Sequence, residues 1–375
     1  MFEIDIEDGK PPLKLPYNSS ESPWDAARKF LETNKLPMTY YEQVANWISD
    51  NTKGTRIGQG STDRLDRDPW GTDRRYRPGD AGHSSNSVER KLPQRSYVQI
   101  LEGNAQNAIN KIAESAKSLQ PSGKLDAVSQ LSEDDLSALS SLVGQINGNP
   151  SDPHPTDNQI AALLTASSRW PRKERVPAIA ILARLAVSPS FVATTSSGNK
   201  TIVETLSSAG LLYKSQETAN NVVHALRLLV NLFATENGRL IADGEFDTVL
   251  KLAHPFAEQP ESPAQYKALA SLYLNYSVLL ASSAPSSESA SREARARALL
   301  IEIATLLECE SPHAADADAL YRSLCALGTL MTLGGTFRAE MKGGIAGTLH
   351  FAGQKDGAKR EDVQAVMGEI REELR

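Results

Sequence analysis

From about residue 96 onward the chain reads almost wholly as helices. Ala- and Leu-rich segments with apolar positions three and four apart alternate with the breaker stretches NGNPSDPHPTDN, SPSFVATTSSGN, EQPESP and ASSAPSSESAS. Caps mark several starts, as with Ser132 and Asp135 in SEDDLSALSSLV and Thr156 ahead of the apolar run in TDNQIAALL. The last segment, EDVQAVMGEIREELR, stacks Val363, Val366, Met367, Ile370 and Leu374 on one side. That is the pattern of a terminal helix, apolar inward and charged outward. Residues 1–52 have a different rhythm. Phe2, Ile4 and Ile6 alternate with Glu3, Asp5 and Glu7, Asp8-Gly9 supplies a turn, and Leu13-Lys14-Leu15 resumes the alternation, which predicts a hairpin. Helices are predicted over 22–34, with Trp24, Ala27, Phe30 and Leu31 as the apolar stripe, and over 39–51, where Thr39 and Glu42 form a capping box.

Residues 53–95 show neither period. They hold six glycines, ten Lys/Arg and six Asp/Glu, and read as a basic Gly/Asp-rich arm and linker. Arg74, Arg75 and Arg77 beside Trp70 and Tyr76 are open to contact with an anionic surface, but the interspersed aspartates favour a solvated linker. The expected organisation is a small α+β unit over 1–52 with an irregular tail to about 80, the arm over 53–95, and a mainly α repeat domain over 96–375.

The polar residues within the apolar helices carry a second period. Arg184 in AIAILARLAV, Arg227 in HALRLLVNLF, Asn275 in ALASLYLNYSVLL and Arg322 in ALYRSLCALGTLM recur 43, 48 and 47 residues apart. Armadillo and HEAT units repeat at about 40–47 residues, and their innermost helices line a concave groove. His224, Arg227 and Asn231 share one helical face, as do Lys267, Ser271 and Asn275, and Arg322, Ala326 and Thr329, with Gly328 as a small neighbour. Taken singly, each Arg or Asn is read equally well as satisfying a loop carbonyl or pairing with a local carboxylate. As a set recurring at unit spacing, they point to ligand contact. Arginines along such a groove favour an extended acidic peptide, with the asparagines holding its backbone.

Composition narrows the class without changing the fold. The net charge of −6 argues against a nucleic-acid partner, and no apolar run reaches the roughly 18–20 residues of a membrane span. The acidic N-terminus lacks the features of a secretion signal, and Cys309 and Cys325 are expected as reduced, buried thiols of a cytoplasmic or nuclear protein. The six histidines have no metal spacing, and no phosphate-binding loop, dinucleotide fingerprint, zinc-protease motif or nucleophile elbow occurs. No enzyme, metal or cofactor is expected.

Several stretches together resemble a known family. PPLKLPYN, PWDAARKFL and QVANWI resemble the PFU domain of the PLAA family. LSEDDLSAL, ILARLAV, ALRLLVNLF, LNYSVLL and YRSLCALGTL resemble its PUL domain. The resemblance implies an armadillo-like solenoid and a non-enzymatic adaptor in ubiquitin-dependent turnover. The PFU-like part would bind ubiquitin, and the PUL-like groove would bind the acidic C-terminal tail of the AAA ATPase valosin-containing protein. It places the groove on Arg227, Asn231, Asn275, Tyr276 and Arg322, with Arg184 a weaker carry-over; His224 and Lys267 join from the shared faces. Candidates for meeting ubiquitin's apolar patch are Phe2, Ile4, Phe30, Tyr40 and Tyr41. Full members carry an N-terminal propeller, so a fragment or truncated homologue is expected. A generic armadillo scaffold holding another acidic peptide is the alternative.

Overall fold

The computed structural model describes residues 90–375 apart from 120–122, 124, 150–152, 197–199, 215–217, 283–288, 334 and 375, together with residues 2–4, 13–15, 29–31, 33 and 34. Contacts divide the chain into two units, Met1–Ser85 and Asn86–Arg375.

In the first unit, β1 (Phe2–Ile4) pairs antiparallel with β2 (Leu13–Leu15), and Phe2 lies opposite Leu15 and Ile4 opposite Leu13. The alternation predicted this hairpin. Phe30 and Leu31 are helical and buried, as the apolar stripe over 22–34 requires. The helix predicted over 39–51 lies outside the described residues, as do Tyr40 and Tyr41.

Every regular element described in the second unit is a helix, and its first segment has none. Its helices are α1 (Ala105–Leu119), α2 (Glu133–Gly148), α3 (Asp157–Arg169), α4 (Val176–Leu185), α5 (Pro189–Ser196), α6 (Ile202–Ser208) and α7 (Ala219–Leu232). They continue with α8 (Glu236–Gly244), α9 (Phe246–Glu258), α10 (Pro263–Ser282), α11 (Ser289–Glu308), α12 (Ala317–Leu330), α13 (Gly335–Gln354) and α14 (Glu361–Leu374). Capping boxes start α2 at Ser132 and α3 at Thr156, each closed by the side chain three residues on. One continuous layer runs α1–α4–α7–α10–α12–α14, each helix packed on the next, while α3, α9, α11 and α13 pack outside it. This is an armadillo-like solenoid.

The inner layer is stitched by aromatic and amide groups. Helix α10 is buried on nearly every side, with Tyr266, Leu269, Leu272, Tyr273 and Tyr276 almost inaccessible, as befits a central helix. Tyr276 meets Phe233 of the chain following α7 and Phe246 of α9 edge-to-face, with centroids 5.0 Å and 5.1 Å apart. In α14, Val363, Val366, Met367 and Ile370 are fully buried, so the terminal helix closes the stack as its pattern predicted.

Two expectations are corrected. Helix was expected from about residue 96, yet residues 90–104 form no helix and run as a strap that belongs to this unit. Cys325 is buried, but Cys309 is partly exposed; both are free thiols.

Candidate peptide-binding groove

The predicted rungs do fall along one layer of helices, and the strap lies across them. It meets the helices in reverse chain order. The backbone amides of Lys91 and Leu92 donate to the two carboxylate oxygens of Glu369 on α14, at 2.7 and 2.9 Å. The Gln94 amide donates to the Thr329 hydroxyl on α12 at 3.0 Å. Val98 then reaches Asn275 of α10, Ile100 reaches Asn231 of α7, and Gly103 reaches Arg184 of α4.

The two asparagines repeat a single geometry. The Val98 N–H donates to Asn275 Oδ1 at 2.7 Å, and Asn275 Nδ2 donates back to the Val98 carbonyl at 2.9 Å. The Ile100 N–H donates to Asn231 Oδ1 at 2.7 Å, and Asn231 Nδ2 donates to the Ile100 carbonyl at 3.0 Å. Residues two apart present their backbone groups to the same side only in an extended chain. The second Nδ2 hydrogen of each asparagine goes to the preceding inner helix: Asn231 to the Ala183 carbonyl and Asn275 to the Val230 carbonyl. Each amide thus joins three segments, and both its donors are used.

The expectation that Asn231 and Asn275 hold a guest's backbone is therefore corrected in its object. They hold an extended backbone, and it is the chain's own. Side chains of the strap add to the fit. Tyr97 stacks near Phe233, with centroids 5.7 Å apart, under the Arg239 guanidinium. Leu92 lies so close to Gly328 that a Cβ there would sit 2.2 Å from its Cδ1, which explains a glycine inside α12.

The cationic rungs are arranged differently. Arg227 Nη2 lies 2.8 Å from Glu102 Oε2, and Lys267 Nζ lies 3.2 Å from Glu102 Oε1 and 3.7 Å from Asp318. Arg184 Nη1 donates to the Gly103 carbonyl at 2.7 Å, and Arg322 donates to the Ser271 hydroxyl. Arg227 is thus held by a carboxylate of its own chain while still facing the groove. Two of the four cations thus share Glu102, while Arg184 and Arg322 bond a carbonyl and a hydroxyl instead; Asp318 is also engaged by Arg360, whose hydrogen bond holds its carboxyl below the usual range. Burial pulls the Arg322 and Arg184 guanidiniums down, though from so high a value that both stay charged.

Two named groove residues do other work. Tyr276 is buried behind the rungs, donating to the Ala242 carbonyl at 3.0 Å, so its assignment to the groove surface is wrong. Burial and the nearby Arg227 push His224 down to about 4, so it is neutral and adds no positive charge at physiological pH. Of the ubiquitin candidates, Phe30 is a core residue and Phe2 and Ile4 are strand positions. Among the described residues no group of His, Cys, Asp and Glu is placed to hold a metal ion.

The strap, Glu102 and Glu369 are the parts that sequence reasoning missed. YVQIL, with Val98 and Ile100 flanking Gln99, is a short alternating, β-branched run that signals an extended segment. Gly103, with φ of +117°, and Asn104, whose side chain accepts from the Asn107 amide, mark where it ends and α1 begins.

Solenoid, amide ladder and cation excess define a class: an armadillo-type helical repeat protein whose inner face holds extended chain. The chain belongs to the PUL domain family, whose match spans residues 92–369 and so includes the strap, and residues 1–56 match the PFU (PLAA family ubiquitin binding) domain. It is 28% identical to the ubiquitin homeostasis protein Lub1 of Schizosaccharomyces pombe over 89% of its own length and 40% of that protein. Identity is 27% to the phospholipase A-2-activating protein of Xenopus laevis, over 88% of this chain and 44% of the relative. A 59-residue stretch is 52% identical to Saccharomyces cerevisiae Doa1, covering 16% of this chain and 8% of the relative. The chain thus spans less than half the length of these curated relatives. A crystal structure of the PFU–PUL domain pair of Saccharomyces cerevisiae Doa1/Ufd3 shares the fold, with TM-score 0.51 at 21% identity over 100% of this chain and 96% of that one.

Proposed function

We propose that the chain is a non-enzymatic adaptor. Its PFU domain binds ubiquitin, and its PUL groove takes the acidic C-terminal tail of the AAA ATPase valosin-containing protein. One observation carries the groove reading: Arg227 and Lys267 converge on Glu102, while Arg184 and Arg322, on the helices either side, hold only a carbonyl and a hydroxyl, which leaves cationic donors without a carboxylate of their own on the inner face. With the amide rungs occupied, the guest is held through its acidic groups. The family description of the PFU domain supports the ubiquitin half.

Calorimetry with a synthetic peptide of the ATPase tail tests the groove. Wild-type chain binds, and Arg227→Ala combined with Arg322→Ala weakens binding at least tenfold, because a desolvated charged contact contributes on the order of 2–5 kcal/mol. Absence of wild-type binding, or unchanged binding by a folded double variant, contradicts it. Equal binding of a scrambled peptide of the same composition would favour a scaffold with another acidic client. For the other half, labelled ubiquitin titrated with the chain shows shifts around its apolar patch; an unchanged spectrum rejects that assignment.

A further inference from the structure

The bridge between Glu102, Arg227 and Lys267 is asymmetric. The side chain of Glu102 is 55% exposed, whereas those of Arg227 and Lys267 are 13% and 24% exposed. The cations are set into the groove wall and the carboxylate lies over them. The backbone beneath Glu102 is fixed on both sides, by Asn231 at Ile100 and by Arg184 at the Gly103 carbonyl. The carboxylate can therefore swing into water while the strap stays in place. Glu102 itself is already more than half in water, so it is rehydrated at little cost on leaving, and the cost of unpairing the enclosed cations is offset when a guest carboxylate replaces it. Burial by itself would raise the Glu102 carboxyl, but Lys267, Arg227 and Arg322 outweigh it and hold the group below the ordinary range. The bridge is thus charged at every physiological pH.

We propose that Arg227 and Lys267 form a carboxylate subsite of which Glu102 is the built-in occupant, and that a carboxylate of a bound acidic peptide takes its place. This rests on the acidic-peptide reading of the groove. It adds that the chain competes with its own ligand, since a tethered carboxylate acts at a high local concentration. Glu102 then lowers affinity and raises selectivity: a guest with one stray acid gains little, whereas one that also satisfies Arg184 and Arg322 gains more than the bridge loses.

Fluorescence anisotropy with a labelled Asp/Glu-rich peptide on the full chain tests this. Glu102→Gln and Glu102→Ala bind about two- to fivefold tighter than wild type, the range set by an exposed pair. Lys267→Met binds more weakly. A peptide amidated at its C-terminus loses the gain if the displacing group is the terminal carboxylate and keeps it if an acidic side chain is used; either result supports the subsite. Unchanged or weaker binding by both Glu102 variants, with Lys267→Met still weakened, overturns the subsite and leaves the groove reading intact. If no peptide binds wild type or any variant, the groove reading fails and the subsite falls with it.

Discussion

Arg227 and Asn231 stand one turn apart on the same face of α7, yet they solve opposite problems. Asn231 is fully buried and saturated: its oxygen accepts from Ile100, and its two N–H donors reach Ile100 and Ala183. Arg227 is nearly as well enclosed, yet it has one exposed carboxylate for company and a buried Nε with no partner. Asn275 repeats the first solution and Lys267 the second on α10. The amides are architecture and the cations are surface, although both interrupt an apolar run in the same way. A polar residue recurring at repeat spacing therefore reports the groove, while its hydrogen-bond saturation decides whether it is available to a guest.

Breaking the amide side should have the largest effect. Asn231→Ala strands the Ile100 N–H and carbonyl and the Ala183 carbonyl in a buried site, and should lower stability by about 2–4 kcal/mol in urea denaturation. A smaller effect is expected from His224→Gln, seen through pH as the removal of an acid-side loss. Burial and Arg227 depress the folded imidazole to about 4, against 6.5 in the unfolded chain, so its contribution is complete above about pH 6.5 and is lost as pH falls toward 4. The variant should flatten that limb of the stability curve by about 1–3 kcal/mol. Gly328→Val pushes on Leu92 and should cost about 1–2 kcal/mol, read as faster amide exchange at Leu92. Least affected is Lys267→Met: its partners are half-exposed, so unfolding should shift by less than about 1 kcal/mol even as acidic-peptide binding weakens. A stability loss as large as that of Asn231→Ala would erase the distinction between the two kinds of rung.

The hairpin, the capping boxes at Ser132 and Thr156, the terminal helix and the repeat of polar rungs were all legible, because each follows from local sequence pattern. The occupant of the groove was not. Linking Val98 to Asn275 and Ile100 to Asn231 requires contacts 177 and 131 residues apart, and no local pattern encodes such a pairing. Tyr276 was misplaced for a related reason. It follows Asn275 directly, and on a helix buried all round, a one-residue step turns the side chain from the groove to the core.

The central claim is that the strap remains in the groove and that guests meet the cations above it. Residue-resolved amide hydrogen exchange at Val98 and Ile100, with and without a saturating acidic peptide, tests this most directly. Both amides should be strongly protected in the free chain and stay protected when peptide is bound. Rapid exchange in the free chain, or protection lost on adding peptide, would contradict the account.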